Sequence, residues 1–111
     1  MIGSLRGEAV TLKGIRCLLA GSILPNLVYL DLSQNRLGED VVAELADSPQ
    51  VASLLGLNLA GTGLREGEAR HLLESPHLSR SYTVNIRSAL VSTSMERALK
   101  DRFYQVHTRA P

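Results

Sequence analysis

Between residues 27 and 49 the spacing of apolar side chains changes from one period to another. In LVYLDLS, Leu30 and Leu32 alternate with Tyr29, Asp31 and Ser33, the period of two expected of a strand with one buried face. Past Gly38, Val41, Val42, Leu45 and Ala46 fall at i, i+1, i+4 and i+5, which is a helical stripe. Glu39 and Asp40 stand at its start, where the helix dipole favours negative charge, and Ser48 with Pro49 stops it. The pattern predicts a short strand, a turn and a helix.

The same phrase returns 27 residues later, Leu54 following Leu27. That step superposes Leu30 on Leu57, Leu32 on Leu59, Leu37 on Leu64 and Leu45 on Leu72, and it carries Ser48-Pro49 onto Ser75-Pro76. A further step puts Val84, Ile86 and Val91 where leucines stood, with Leu99 on Leu72. Stepping backwards sets Leu5 under Leu32, Val10 under Leu37 and Leu18 under Leu45. The chain thus divides into about four units within a single domain 1–111: a degenerate opening unit 1–26, then 27–53, 54–80, and a degenerate closing unit 81–103 followed by a frayed tail 104–111.

Helices are predicted at the matching place in each unit. The first presents Ile15, Leu18 and Leu19 and ends at Gly21, a suitable left-handed cap; the third presents Ala69, Leu72 and Leu73 behind Glu66 and Glu68. In the last unit Thr93 and Glu96 have capping-box spacing, and Met95, Ala98, Leu99, Arg102 and Phe103 form a stripe fit to cover the end of a stack.

Composition narrows the class. The chain has 111 residues, 44% hydrophobic and 21% charged, so it can bury a modest core. A formal net charge of +1 gives no bulk field drawing it to nucleic acid or an anionic membrane. Cys17 is the single cysteine, which excludes an internal disulfide framework. Arg6, Glu8, Lys13 and Arg16 interrupt any signal-peptide core, and the most apolar run, CLLAGSILPNLVYLDL, carries Pro25, Asn26 and Asp31 and is too short for a membrane span. These features fit a cytoplasmic protein.

The phrase LxxLxLxxNxL, here Leu27, Leu30, Leu32, Asn35 and Leu37, resembles the leucine-rich repeat signature. The helical halves LGEDVVAELADSP and LREGEARHLLESP resemble the longer ribonuclease-inhibitor-like class, and more narrowly bacterial arrays reading LDLSxNxLGDxGAxALAxSPxL, which often end in a phrase like ALKDRF, residues 98–103 here. The resemblance covers roughly residues 14–103. It implies an α/β fold: a right-handed solenoid, a short horseshoe with a parallel sheet on the concave face and helices on the convex face. It also implies that Asn35 reaches backbone groups of its own and neighbouring turns. At the next two copies of that turn stand Thr62, with one hydroxyl, and Ala89, with no polar group, so this structural ladder is expected to weaken towards the C-terminus, with more mobility around Ala89.

Chemistry is sparse. No GxxxxGK motif followed by Ser or Thr, no GxGxxG and no GxSxG occurs. His71 and His77 are six apart across Pro76, a spacing that does not bring two metal ligands to one helical face. Cys17 falls in register with Glu44 and His71 on the outward side of its helix, and exposure alone does not make a nucleophile. Arg80, Arg87, Arg97, Lys100, Arg102 and Arg109 make the C-terminal third basic, but Glu96 and Asp101 interleave and aromatic residues are only 4% of the chain, too few for stacked bases or sugars.

A binding surface is the better candidate. On a horseshoe the strand positions between buried leucines face the concave side, and the 27-residue step aligns Ser4, Asp31, Asn58 and Asn85 in one column. Arg6, Ser33, Ala60 and Arg87 form a second, and Tyr29, Gly56 and Thr83 a third. The reading is a non-enzymatic leucine-rich repeat scaffold, without cofactor or metal, that binds a protein through Tyr29, Asp31, Ser33, Asn58, Asn85 and Arg87, and neither nucleic acid nor membrane. The alternative is a C-terminal capping fragment of a longer array with a purely structural role, since no polar cap precedes the opening unit, and self-association through its uncapped edge near Ile2 and Leu5 is expected in that case.

Overall fold

The computed structural model describes residues 2–7, 10–20, 28–78 and 83–108, with backbone alone at 2–4. The fold is α/β. Five short parallel strands, β1 (Ile2–Ser4), β2 (Tyr29–Asp31), β3 (Gly56–Asn58), β4 (Thr83–Asn85) and β5 (Gln105–His107), lie side by side in chain order. The crossovers carry helices α1 (Leu12–Ala20), α2 (Glu39–Asp47), α3 (Glu66–Glu74) and α4 (Thr93–Arg102). Each helix packs on the next, α1 on α2, α2 on α3 and α3 on α4.

The strand register repeats the sequence period. Gly3 pairs with Leu30, Leu30 with Leu57 and Leu57 with Val84, each 27 residues on. Backbone bonds continue past the strand ends: Leu5, Leu32 and Leu59 donate to the carbonyls of Asp31, Asn58 and Asn85 at 2.7–2.9 Å. Leu30, Leu57 and Val84 share one buried cluster with Val41, Leu45, Leu72 and Leu99 from the helices. The helices therefore cover one face of the sheet, and leave the other face helix-free. Among the described residues eleven large side chains, all Leu or Ile, are less than 2% exposed. Each such burial contributes about 1.5–3 kcal/mol, and no strand of three residues could achieve it alone.

Four positions one unit apart share a left-handed backbone: Gly7, Gln34, Gly61 and Ser88, with φ of 69°, 60°, 67° and 70°. Each turns the chain out of its strand. Gly7, Gln34 and Gly61 then donate to the carbonyls of Ser33, Ala60 and Arg87 in the following unit. Glycine takes that conformation freely, whereas Gln34 and Ser88 hold it against their own Cβ atoms.

The expected frayed tail 104–111 is overturned where it can be seen. Gln105, Val106 and His107 pair with Thr83, Val84 and Asn85, and the His107 carbonyl accepts from Ile86 N–H at 2.8 Å. The next strand arrives 22 residues after β4 instead of 27, because Phe103 and Tyr104 alone link α4 to β5. Eight residues link α2 to β3, including a 3₁₀ turn, Pro49–Ser53, whose N-cap Ser48 accepts from Gln50 N–H. A fixed step of 27 looks for that strand too late.

Two smaller corrections concern α4 and its unit. The N-cap is Ser92, whose Oγ accepts the Met95 N–H at 3.1 Å, one residue ahead of the expected Thr93. Glu96 instead accepts from Thr108 Oγ1 at 2.5 Å and lies 3.5 Å from Lys100 Nζ, tying the segment after β5 back to the helix. Met95, Leu99 and Phe103 are buried as the stripe requires. Gly21, Leu24, Leu27, Arg80 and Arg109 lie outside the described residues.

Candidate site on the helix-free strand face

In β2, β3 and β4 the strand residues flanking the buried middle position belong to the helix-free face, and Gln105 and His107 of β5 continue their rows; the side chains of Ile2 and Ser4 lie outside the described residues. Tyr29, Gly56, Thr83 and Gln105 stand in one row of the register, and Asp31, Asn58, Asn85 and His107 in another. All of the second row are half-buried. The expected column Asp31, Asn58, Asn85 is thus brought together, and β5 adds His107 to it.

The three column residues share a local bond. Asp31 Oδ1 accepts from Ser33 N–H at 2.9 Å, Asn58 Oδ1 from Ala60 N–H at 3.0 Å, and Asn85 Oδ1 from Arg87 N–H at 3.0 Å. Each is an Asx turn that satisfies the backbone where the chain leaves the strand. One side-chain oxygen is committed to the fold, while the amide nitrogens of Asn58 and Asn85 make no hydrogen bond to described residues. The spacing Asx-x-x two residues before each turn was the available signal for this structural half of their role.

Tyr29 lies across the neighbouring strand. A Cβ on Gly56 would sit 2.5 Å from Tyr29 Cδ2 and 2.9 Å from Cε2, so the glycine provides the place where the ring rests. Ser33 departs from its expected role as an exposed contact, for it is only 4% exposed. It stands instead in a hollow of the surface, among Arg6, Gln34, Asn58, Asn85 and Arg87.

Those neighbours define a pocket of about 310 Å³ beyond the carboxyl ends of β2, β3 and β4. Arg6, Ser33, Gln34, Asn58, Asn85 and Arg87 contribute to its lining. Arg87 Nε is buried and donates to no acceptor among the described residues, a situation that costs on the order of 1–3 kcal/mol for an unmet donor. Neither Arg6 nor Arg87 makes an ion pair within the described residues. A larger hollow of about 480 Å³ beside α4 is lined by Thr93, Glu96, Arg97, Lys100 and Thr108, where Glu96 already answers Lys100 and Thr108.

The turn ladder behind this face is graded. Asn35 is buried and donates through Nδ2 to the carbonyls of Leu5, Leu32 and Ser33 at 2.8–3.2 Å, while its Oδ1 accepts from Val10 N–H at 3.0 Å. It links two units. Thr62, equally buried, makes one side-chain bond, Oγ1 to the Leu59 carbonyl at 2.7 Å, and it stays within its own unit. The N–H one unit on from Val10, that of Leu37, is taken by the backbone carbonyl of Thr62 at 3.1 Å. At Ala89 the side chain offers nothing, and its own N–H closes locally on the Ile86 carbonyl at 3.0 Å.

No family model matches the chain, and no curated protein sequence matches it at a significant level. The site must be read from its own chemistry. Cys17 is exposed, as its register implies, and the adjacent Arg16 is turned away to Glu44, Nη2 to Oε1 at 3.0 Å. Among the described residues no three His, Cys, Asp or Glu side chains are grouped as a metal would require, and no helix is long and apolar enough to cross a membrane.

Proposed function

We propose that the chain is a leucine-rich repeat module, a right-handed solenoid with its strand face concave, and that it is a non-enzymatic scaffold for protein–protein interaction. The observation that carries this reading is the Asp31, Asn58, Asn85 column: polar, half-buried side chains at one register on a helix-free sheet face, two of them with unused amide donors. Tyr29 adds an aromatic anchor held on Gly56, and Arg87, in the neighbouring column, a guanidinium beyond the carboxyl end of β4. Ser33, nearly buried, contributes to the lining of the adjoining pocket more than to the open face.

Affinity capture with the intact chain tests the assignment. A partner held by the wild type is expected to be lost on Thr83→Arg, which changes this face without touching an Asx turn, and on the pair Asp31→Arg with Asn58→Arg, while Arg70→Glu on α3 leaves capture intact. Retention by both face variants, with melting temperatures unchanged, means the partner binds elsewhere.

A second reading, self-association, is favoured by one observation: in the order β1 to β5, one side of β1 has no strand beside it among the described residues. Sedimentation at several concentrations tests it. A concentration-independent monomer removes it.

A further inference from the structure

We infer that the pocket beyond the carboxyl ends of β2, β3 and β4 is an oxyanion site, taking a carboxylate or phosphate group carried by a peptide. The second column of the strand face reads Arg6, Ser33, Ala60, Arg87 across four successive units: long, short, short, long. At the usual strand spacing the two arginine Cα atoms lie roughly 14 Å apart, so the two guanidinium groups can close on one small group seated over Ser33 and Ala60. Both arginines line the same pocket, and among the described residues no carboxylate does.

Several donors line the pocket without a partner among the described residues. Arg87 Nε is buried with no partner, Asn58 and Asn85 have amide nitrogens to spare, and the Gln34 carboxamide stands at the rim, folded over Gly61. A guanidinium desolvated on its Nε side is best answered by the planar pair of oxygens of a carboxylate or by phosphate. The place is also the general one for ligands of parallel sheets, the crevice outside the carboxyl ends of the strands. Gln34 and Ser88, the two non-glycine residues held at positive φ among the described residues, both border it.

This deepens the reading of the strand face as a recognition surface and rests on that reading for the peptide that bears the anion; the affinity for the anion itself is measurable alone. The probes are inorganic phosphate and sodium acetate, titrated separately at neutral pH into the intact isotope-labelled chain, with sodium chloride keeping ionic strength constant. The expected result is a saturable shift of the Arg87 Nε–H resonance with amide shifts confined to residues 33–34, 58–61 and 85–88. Whichever anion saturates at lower concentration identifies the chemistry carried by the partner. Arg87→Gln is expected to weaken binding by about tenfold or more, Arg87→Lys to recover only part of it because Lys lacks the planar fork, and Arg70→Gln on α3 to change nothing. Arg6→Gln provides the same test from the opposite wall should Arg87→Gln fail to fold. Linear, unsaturable shifts with both anions, or binding indifferent to Arg87 and Arg6, overturn the inference. If that happens while Thr83→Arg still abolishes partner capture, the oxyanion pocket falls and the recognition face stands.

Discussion

The turn after β2 and the turn after β4 occupy the same place in their units, yet they are closed by different means. Asn35 reaches into the unit before it and binds Leu5 and Val10, whereas Ala89 has only its own backbone bond to Ile86. Thr62 stands between, with a hydroxyl that serves its own turn and a backbone carbonyl that serves the preceding unit. The difference shows that a repeated turn can keep its shape while the coupling between units changes. Where a side chain bridges, the two units must open together; beside Ala89 the units are joined instead by Leu90 N–H on the Leu64 carbonyl at 2.8 Å, so coupling there rests on backbone bonds and the apolar core.

Removing the bridge has the largest expected effect on this contrast. Asn35→Ala leaves the Val10 N–H and the Leu5 carbonyl without their partner and is expected to lower stability by about 3 kcal/mol, read from the urea midpoint. A loss below about 1 kcal/mol sinks the claim that this side chain couples units. Thr62→Val keeps the shape and deletes one buried donor, with an expected cost of about 1 kcal/mol. Replacing Gln34 or Ser88 with glycine relieves a left-handed Cβ at the price of a more flexible unfolded chain, for an expected net gain of about 0.5 kcal/mol each. Ala89→Ser, at the position with no side-chain role, is expected to shift stability by less than about 0.5 kcal/mol. Equal losses at Ala89 and Thr62 would mean that the gradient along the ladder is not real.

Much of this arrangement is legible in the sequence because stacking parallel strands forces equal spacing. The 27-residue step placed Leu30, Leu57 and Val84 together at the core and Asp31, Asn58 and Asn85 together on the opposite face, and the paired register reproduces both alignments. The step failed where the chain shortened a connection. Phe103 and Tyr104 replace an eight-residue link, so β5 fell outside the search, and Val106, one apolar residue between Gln105 and His107, carries too weak an alternation to announce a strand. Alternation assigns Ser33 to the open face, but a face does not by itself set exposure, and Ser33 is only 4% exposed in its hollow. The left-handed turns were within reach: Gly7 and Gly61 lie two units apart, and the same register marks Gln34 and Ser88. The pocket was not, since it depends on the directions taken by Arg6 and Arg87 side chains from opposite ends of a column.

The Asx turns at Asp31, Asn58 and Asn85 carry a consequence for how such a surface can change. Each needs only an oxygen acceptor two residues before the N–H it serves, and a carboxylate supplies that as well as a carboxamide does. Exchange of Asn for Asp along this row therefore alters surface charge, from donor-bearing and neutral to anionic, while the backbone it supports stays the same. The charge of this row can change without a toll on folding, and Asp31 beside two asparagines is one setting among those the same backbone accommodates.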